Sequence, residues 1–387
     1  MSEIERQSAL RLVILLGFIS LFADVTYEAA RSINGPYLAA LGASAAAVGI
    51  IAGLGELIGY GLRIITGLIS DRTRRYWAIT IFGYTVNLLA VPALALAGRW
   101  EIAAILMITE RLGKAIRTPA RDAMLSHASH DVGRGRAFGL HEAMDQVGAM
   151  LGPIIVAVVL AVKGSYQYGF GILAIPAALA LTVLVIARRT YPHPHDLEPA
   201  IAGQSTKFQT TYWIYLAGVA CIALGFADFS LISFHAKITG IVPDTWIPLI
   251  YAGAMGVDAL SALVLGRLYD RGGLKAVMMM IAASAWFAPF VFLGGRTMLI
   301  AGMILWGMGM GALESTIRAV VADLVHRDRR GTGYGVFNAG FGISWFVGST
   351  LMGILYERSL VAVAVFSIAF QLLALPFLNA VQKRIGN

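Results

Sequence analysis

Gly67-Leu-Ile-Ser-Asp71-Arg72-Thr-Arg74-Arg75 is a short, strongly basic stretch between two long apolar runs. It recurs in altered form as Gly266-Arg-Leu-Tyr-Asp270-Arg271-Gly-Gly273-Leu-Lys275. Both read as charged turns. A charged turn repeated about half a chain later, with apolar runs on either side each time, points to a duplicated bundle of membrane-spanning helices.

Composition agrees. Of 387 residues, 58% are hydrophobic and only 13% charged, and the mean hydropathy is +0.74. Soluble domains carry about 25% charged residues, so a water-soluble globule is a poor reading. Apolar runs of about 20 residues, each long enough to cross a ~30 Å hydrocarbon core, recur along the whole chain. They lie at roughly 11–39, 45–69, 77–98, 102–124, 137–162, 168–188, 213–237, 246–268, 276–294, 297–322, 334–356 and 360–381. The fold expected is therefore all-α and polytopic, with twelve transmembrane helices in two pseudo-symmetric six-helix bundles. The first ten residues are polar, and no cleaved signal peptide is expected. The single Cys221 offers neither a disulfide framework nor a cysteine metal motif.

The formal net charge of +8 is explained by where the bases fall. Arg72, Arg74 and Arg75, then Arg134 and Arg136, Arg188 and Arg189, Lys207, Arg271 and Lys275, and Arg327, Arg329 and Arg330 all lie on one side of the twelve spans. The opposite turns hold chiefly Arg99, Lys163, Arg296 and Arg358. That asymmetry predicts a multi-pass protein of the cell inner membrane with both termini cytoplasmic, and a lipid rather than a nucleic acid partner. Residues 189–211 are rich in charge and proline and read as a cytoplasmic linker between an N-terminal bundle, 1–188, and a C-terminal bundle, 212–387. His193 and His195 in that linker lack further ligands nearby, so no metal site is assigned there.

The halves align in several places. Phe22-Ala-Asp24 matches Phe226-Ala-Asp228, Ile116-Arg117-x4-Asp122 matches Ile317-Arg318-x4-Asp323, and Arg134-Gly135 matches Arg330-Gly331. With the doubled Gly-x3-Asp-Arg stretch and the twelve spans, this resembles the major facilitator superfamily of secondary transporters across the whole chain. In that family the motif joins helices 2 and 3 and its echo joins helices 8 and 9. The resemblance implies a cytoplasmic gate built from Gly67, Asp71, Arg72 and Arg75 and, in the second half, Gly266, Asp270 and Arg271. Asp71 would cap the start of helix 11, as an anion favours a helix N-terminus. The first copy carries Arg74 where the family usually has glycine; the second has Gly273. Gly139-x8-Gly148-x3-Gly152-Pro153 resembles the helix 5 signature of the family's proton-exchanging exporters, although Val156 and Ala157 stand where its closing glycine pair would be. Physically, Gly148 and Gly152 permit close helix approach and Pro153 a bend.

Charges inside the spans are the candidate functional residues, since each costs ~2.5–3.5 kcal/mol at the bilayer centre and must face a partner or a wet cavity. Asp24, Glu28 and Arg31 share one stripe of span 1, and Glu56 lies near mid-depth in span 2. Glu110, Lys114, Arg117 and Arg121 form a stripe of span 4, with Arg111 beside it. His141 and Asp145 lie on the glycine stripe of span 5. The second half offers Asp228 and His235 at the spacing of Asp24 and Arg31, then Asp258 and Glu314, with Asn338, Trp286, Trp306, Phe341 and Trp345 as cavity-wall candidates. A carboxylate in a water-accessible cavity can take a proton on one side and release it on the other. The alternative is a static ion-pair lattice joining Glu28 to Arg31, Glu110 to Lys114, and Asp24 to an arginine of span 4.

Three functions stay open from the residues: proton-coupled export of a small hydrophobic or cationic compound, transport of organic anions on the embedded arginines, and a divalent-metal carrier using Asp24, Glu28 and His235. The reading expected is secondary active transport by alternating access, by a monomer with a small-molecule substrate, with protons as the coupling ion of the export reading. No cofactor is expected. The nucleotide-binding and hydrolase motifs that would mark an enzyme are missing from the sequence.

Overall fold

A computed structural model describes residues 3–132, 134–192, 208–325 and 330–385. Among the described residues every regular element is helical. The helices are α1 (Glu3–Ala40), α2 (Ala45–Thr73), α3 (Tyr76–Ala93, continued by a 3-10 turn, Leu94–Leu96), α4 (Trp100–Val132), α5 (Arg134–Lys163), α6 (Tyr166–Ile172), α7 (Ala174–Thr190), α8 (Thr210–Gly225), α9 (Phe229–Thr239), α10 (Trp246–Gly272), α11 (Leu274–Ser284), α12 (Phe287–Leu293), α13 (Arg296–Gly311), a π-helical turn (Ala312–Thr316), α14 (Ile317–Leu324), α15 (Arg330–Arg358) and α16 (Leu360–Ile385). Eleven helical stretches are long and apolar enough to cross a membrane. The twelfth span is α4, whose 33 residues are long enough but carry the charged stripe. This is a multi-pass membrane protein.

The charged stretches are not turns along their whole length. α2 runs on through Asp71 and Arg72 to Thr73, and α10 through Asp270 and Arg271 to Gly272. Charge alone does not stop a helix. The chain reverses one residue later, at Arg74 (φ 53°) and Gly273 (φ 58°). These equivalent positions both take positive φ just past a helix end, which turns the chain out of the helix. After the reversals, each next helix is tied down: Trp77 Nε1 donates to the Tyr191 carbonyl (2.8 Å) and the Leu274 N–H to Gln382 Oε1 (2.8 Å).

Three spans are interrupted where the apolar run is not. Span 6 breaks at Leu173, span 9 at Ala285–Trp286, and span 7 at Phe226–Asp228. The span 7 break frees backbone groups that cannot remain unpaired in hydrocarbon, and side chains take them. Ser367 Oγ (2.6 Å) and Gln371 Nε2 (3.3 Å) donate to the Gly225 carbonyl, Trp306 Nε1 (2.9 Å) donates to that of Ala227, and Asp228 Oδ1 accepts from the Ser230 N–H (2.8 Å). Span 10 is distorted by the π turn, beyond which Tyr215 Oη donates to the Ile317 carbonyl (2.5 Å).

By packing, the chain forms two compact units, Met1–Ile33 with Gly61–Ala200 and Asn34–Tyr60 with Ile201–Asn387. The second unit therefore holds more than residues 212–387: it takes in the C-terminal end of α1 and the N-terminal half of α2. In it, a Cβ on Gly49 would collide with the Ser349 carbonyl, one on Gly53 would lie 2.9 Å from Phe346 Cα, and one on Gly35 would collide with the Ser230 carbonyl. The linker histidines His193 and His195 lie outside the described residues.

Candidate functional site

The first unit concentrates the embedded charges, and close helix contacts set their positions. On α3 and α4, a Cβ on Gly83 would lie 2.6 Å from Arg117 N, and one on Gly113 would lie 2.8 Å from Asn87 Cα. With the two backbones touching, Arg117 lies over the Tyr84 ring (4.2 Å) and Asn87 Nδ2 donates to Glu110 Oε1 (2.7 Å). On α1 and α5, Gly148 meets Leu21 and Asp24, and Gly152 meets Val25. Asp24 is thereby held between α5 and the bases of α4.

The ion pairs follow. Glu28 pairs with Arg31 (3.9 Å), Glu110 with Arg111 (3.4 Å), Arg121 with Asp122 (2.7 Å) and His141 Nδ1 with Asp145 Oδ2 (3.4 Å). Arg121 also donates to Ser20 Oγ (2.9 Å). The Glu110–Lys114 contact expected from spacing is replaced: Arg111 and Asn87 take Glu110, and Lys114 Nζ lies over the Tyr27 ring at 3.8 Å. Arg117 also faces Tyr27, at 5.6 Å. The two bases nearest Asp24 thus rest on aromatic faces, where the ring quadrupole attracts them. Asp24 lies in the field of Lys114 and Arg117 on one side and of Asp145 on the other, with Tyr27 in hydrogen-bonding reach.

Asp24 is only 5% exposed, yet its Oδ1 has no hydrogen-bond partner among the described residues. Asp145 Oδ1, His141 Nε2, Asn87 Oδ1, Tyr84 Oη and Arg117 Nε and Nη1 share that condition. Buried polar atoms are nearly always paired. A cluster of unpaired ones marks a place that holds water or ligand.

The other sequence candidates are spread more widely. Glu56 is buried on the part of α2 that belongs to the second unit. Asp228 is not a mid-helix charge like Asp24 but the N-cap of α9. His235 Nδ1 meets Tyr356 Oη at 2.8 Å and its ring packs on Phe292. Because His235 and the pair Asp24 and Glu28 belong to different units, the carrier triad is not assembled within either, and among the described residues no group of three His, Cys, Asp or Glu could hold a metal. Asp258 is buried, Asn338 half-buried, and Glu314 exposed on the π turn. Trp306, Phe341 and Trp345 are buried, Trp306 and Trp345 against Phe226, while Trp286 is 53% exposed and stands apart. A Cβ on Gly67 would lie 3.7 Å from Pro119 Cβ and one on Gly266 would meet open space; Asp71, Arg72, Arg75, Asp270 and Arg271 are exposed. Gly139 has open space around it, so the contact with α1 begins only at Gly148, two and a half turns on, and Pro153 follows buried beside Gly152.

Sequence reasoning missed Tyr27, Tyr84, Asn87 and Ser20. Tyr84 and Asn87 are three apart on an otherwise apolar span, facing the most charged one, which is the signal that would have found them.

The Major Facilitator Superfamily model matches residues 14–349, with a second, overlapping match over 216–384. The chain belongs to the Major Facilitator Superfamily. An uncharacterised protein of Mycobacterium tuberculosis is 43% identical over 97% of this chain and 94% of its own length. An uncharacterised MFS-type transporter of Methanocaldococcus jannaschii is 25% identical over 90% of this chain and 89% of its own. Among solved structures, a bacterial homologue of the human lysosomal transporter Spinster, inward-facing and occupied, superposes with a TM-score of 0.78 at 16% identity, covering 99% of this chain and 98% of that one. The chain has the fold of a Major Facilitator Superfamily secondary transporter.

Proposed function

We propose that this protein is a proton-coupled secondary active transporter of the inner membrane that works by alternating access and exports a small hydrophobic or cationic compound. The observation that carries the reading is Asp24: a buried carboxylate, one oxygen unpaired, in the field of Lys114, Arg117 and Asp145. A lone buried charge is costly, so such a group exchanges a proton or pairs with a ligand cation when its cavity is wet. Export rests on the glycine spacing of α5, where Gly148 and Gly152 pack on α1 beside Asp24. Asp71, Arg72 and Arg75, with Asp270 and Arg271, serve the cytoplasmic gate in this reading, and both termini are cytoplasmic.

One observation favours a second reading, transport of an organic anion. Lys114 and Arg117 lie over tyrosine rings, a placement from which they can reach a carboxylate or phosphate of the substrate.

Everted vesicles, acidified inside, decide between them. Lipophilic cations and organic acids are added outside in turn while lumenal pH is followed. Proton release on adding a lipophilic cation, lost in Asp24→Asn and kept in Lys114→Gln, is the expected outcome. Release only with organic acids, abolished by Lys114→Gln, would establish the second reading. Release that survives in Asp24→Asn would remove Asp24 from the coupling mechanism.

A further inference from the structure

We infer that His141 and Asp145 form a proton-exchange arm for Asp24, and that Gly148 is the positioning residue that brings Asp24 against it. The inference rests on the proposed proton coupling at Asp24. His141, Asp145, Gly148 and Gly152 follow one another at i, i+4, i+7 and i+11 on α5, a single stripe. That stripe is the one in contact with α1. A Cβ on Gly148 would lie 2.5 Å from the Leu21 carbonyl oxygen and 2.9 Å from Asp24 Cβ, so nothing larger than hydrogen fits there without moving Asp24.

Along this seam lie three polar atoms with no partner among the described residues: His141 Nε2, Asp145 Oδ1 and Asp24 Oδ1. His141 is 4% exposed, and its other nitrogen is already engaged with Asp145 at 3.4 Å. A buried imidazole bonded on one side to a carboxylate and open on the other has the form of a relay, because its two nitrogens can take up and release different protons. A proton arriving at Nε2 releases the one on Nδ1 to Asp145 Oδ2. The Asp145 carboxyl then turns that proton toward Asp24 and gives it, through water, to Asp24 Oδ1, which restores the Asp145 carboxylate. One proton enters, one leaves, and each group returns to its starting form after the ring turns over its tautomer. Water would bridge the two carboxylates, since each presents a buried oxygen with no partner among the described residues.

The charged and titratable groups facing the arm come from three helices. α1 contributes Asp24, Tyr27 within hydrogen-bonding reach of it, and, as a hydrogen-bond partner, Ser20. α4 contributes Arg121 with its partner Asp122, and beyond it Lys114 and Arg117. α5 contributes the pair itself, Glu142 being exposed. Arg121 bonds Ser20 and lies in the field of Asp145, which fixes the carboxylate between His141 and Asp24. His141 is one helical turn nearer than Asp145 to the basic α4–α5 connection, so the arm leads from that face toward Asp24.

The test needs no substrate. The full-length protein in lipid is given a rapid pH step, and the infrared C=O stretch of protonated carboxyl groups is followed in time. The component lost in Asp24→Asn belongs to Asp24. His141→Gln and Asp145→Asn should each slow its appearance about tenfold or more; His141→Gln, which leaves the Asp145 charge beside Asp24 in place, should also keep the final amplitude nearly unchanged, since a relay changes rate rather than equilibrium. Gly148→Ala, which keeps every titrating group, should slow it too. Rates unchanged in His141→Gln and Asp145→Asn, with the Asp24 component present, would overturn the arm and leave the coupling role of Asp24 standing. A wild-type signal with no Asp24 component would remove the coupling role itself. His141→Gln keeps a polar contact with Asp145, and its melting curve reports whether the fold is intact.

Discussion

Arg74 has φ of 53°, the one non-glycine residue with positive φ among those described, and its repeat counterpart Gly273 has φ of 58°. The left-handed conformation costs an L-residue with a Cβ about 1–2 kcal/mol, and glycine almost nothing. Arg74 accepts that cost because the helix end needs the reversal: its N–H still reaches the Ser70 carbonyl at 2.9 Å. Arg74→Gly should therefore stabilise the protein by about 0.5–1 kcal/mol, the strain relieved less the entropy that glycine adds to the unfolded chain. Gly273 is less tolerant. Its ψ of −145° lies in territory that only glycine enters freely, so Gly273→Arg should cost about 1–3 kcal/mol. Thermal unfolding in detergent compares the two: a rise for the first and a fall for the second. Equal falls would mean that Arg74 is held by its charge rather than tolerated for its backbone.

At the scale of the element, the same three residues behave differently in the two halves. Phe22-Ala-Asp24 lies within an unbroken α1, whereas Phe226-Ala-Asp228 is the gap between α8 and α9. Asp228 spends its carboxylate on the Ser230 N–H. Asp228→Ala should therefore cost about 1–2 kcal/mol of stability, with Asp228→Ser recovering most of it, as for other N-caps. The proposed proton coupling should be spared in Asp228→Ser, in contrast to Asp24→Asn; loss of coupling at full stability would return Asp228 to the proposed site. The contrast also shows what a sequence can carry. Twelve spans were legible because hydropathy reports length and burial in lipid directly. The break at 226–228 was not, because its cause is tertiary: Ser367, Gln371 and Trp306 supply the bonds that let the backbone open. Likewise the α1 stripe Asp24–Glu28–Arg31 could be read from a period of 3.6. The rings of Tyr27 and Tyr84 that receive Lys114 and Arg117 could not, because charge-pairing rules look for carboxylates, and the Tyr84 contact depends on Gly83 and Gly113 bringing α3 onto α4.

At the scale of the molecule, α1 and α2 are continuous helices that each contribute to both compact units. α1 passes from one to the other at Ile33–Asn34, just before Gly35-Pro36, and α2 at Tyr60–Gly61, between Gly59 and Gly61. Glycine and proline are where helices bend, and Gly59 and Gly61 have open space around them, so close packing does not explain them. The N-terminal half of α2 is joined to α15 within the second unit by backbone contact at Gly49, Gly53 and Gly353, and by Glu357, whose Oε1 accepts from the Ala46 N–H at 2.9 Å. Alternating access requires a path that opens on one side at a time, and a seam this tight resists opening. Gly49→Leu would force a side chain into the Ser349 carbonyl, an overpacking that costs about 1–3 kcal/mol. Glu357→Ala removes one helix-capping bond worth about 1 kcal/mol. Both should raise the population in which residues 45–53 have left α15, Glu357→Ala by about fivefold and Gly49→Leu by more, following the conversion of free energy to population. A cysteine at position 349, where Ser349 is 2% exposed, in a Cys221→Ser background reports this as faster alkylation by a membrane-permeant maleimide. If alkylation stays slow while melting temperature falls, the seam between α2 and α15 is a static strut that does not open.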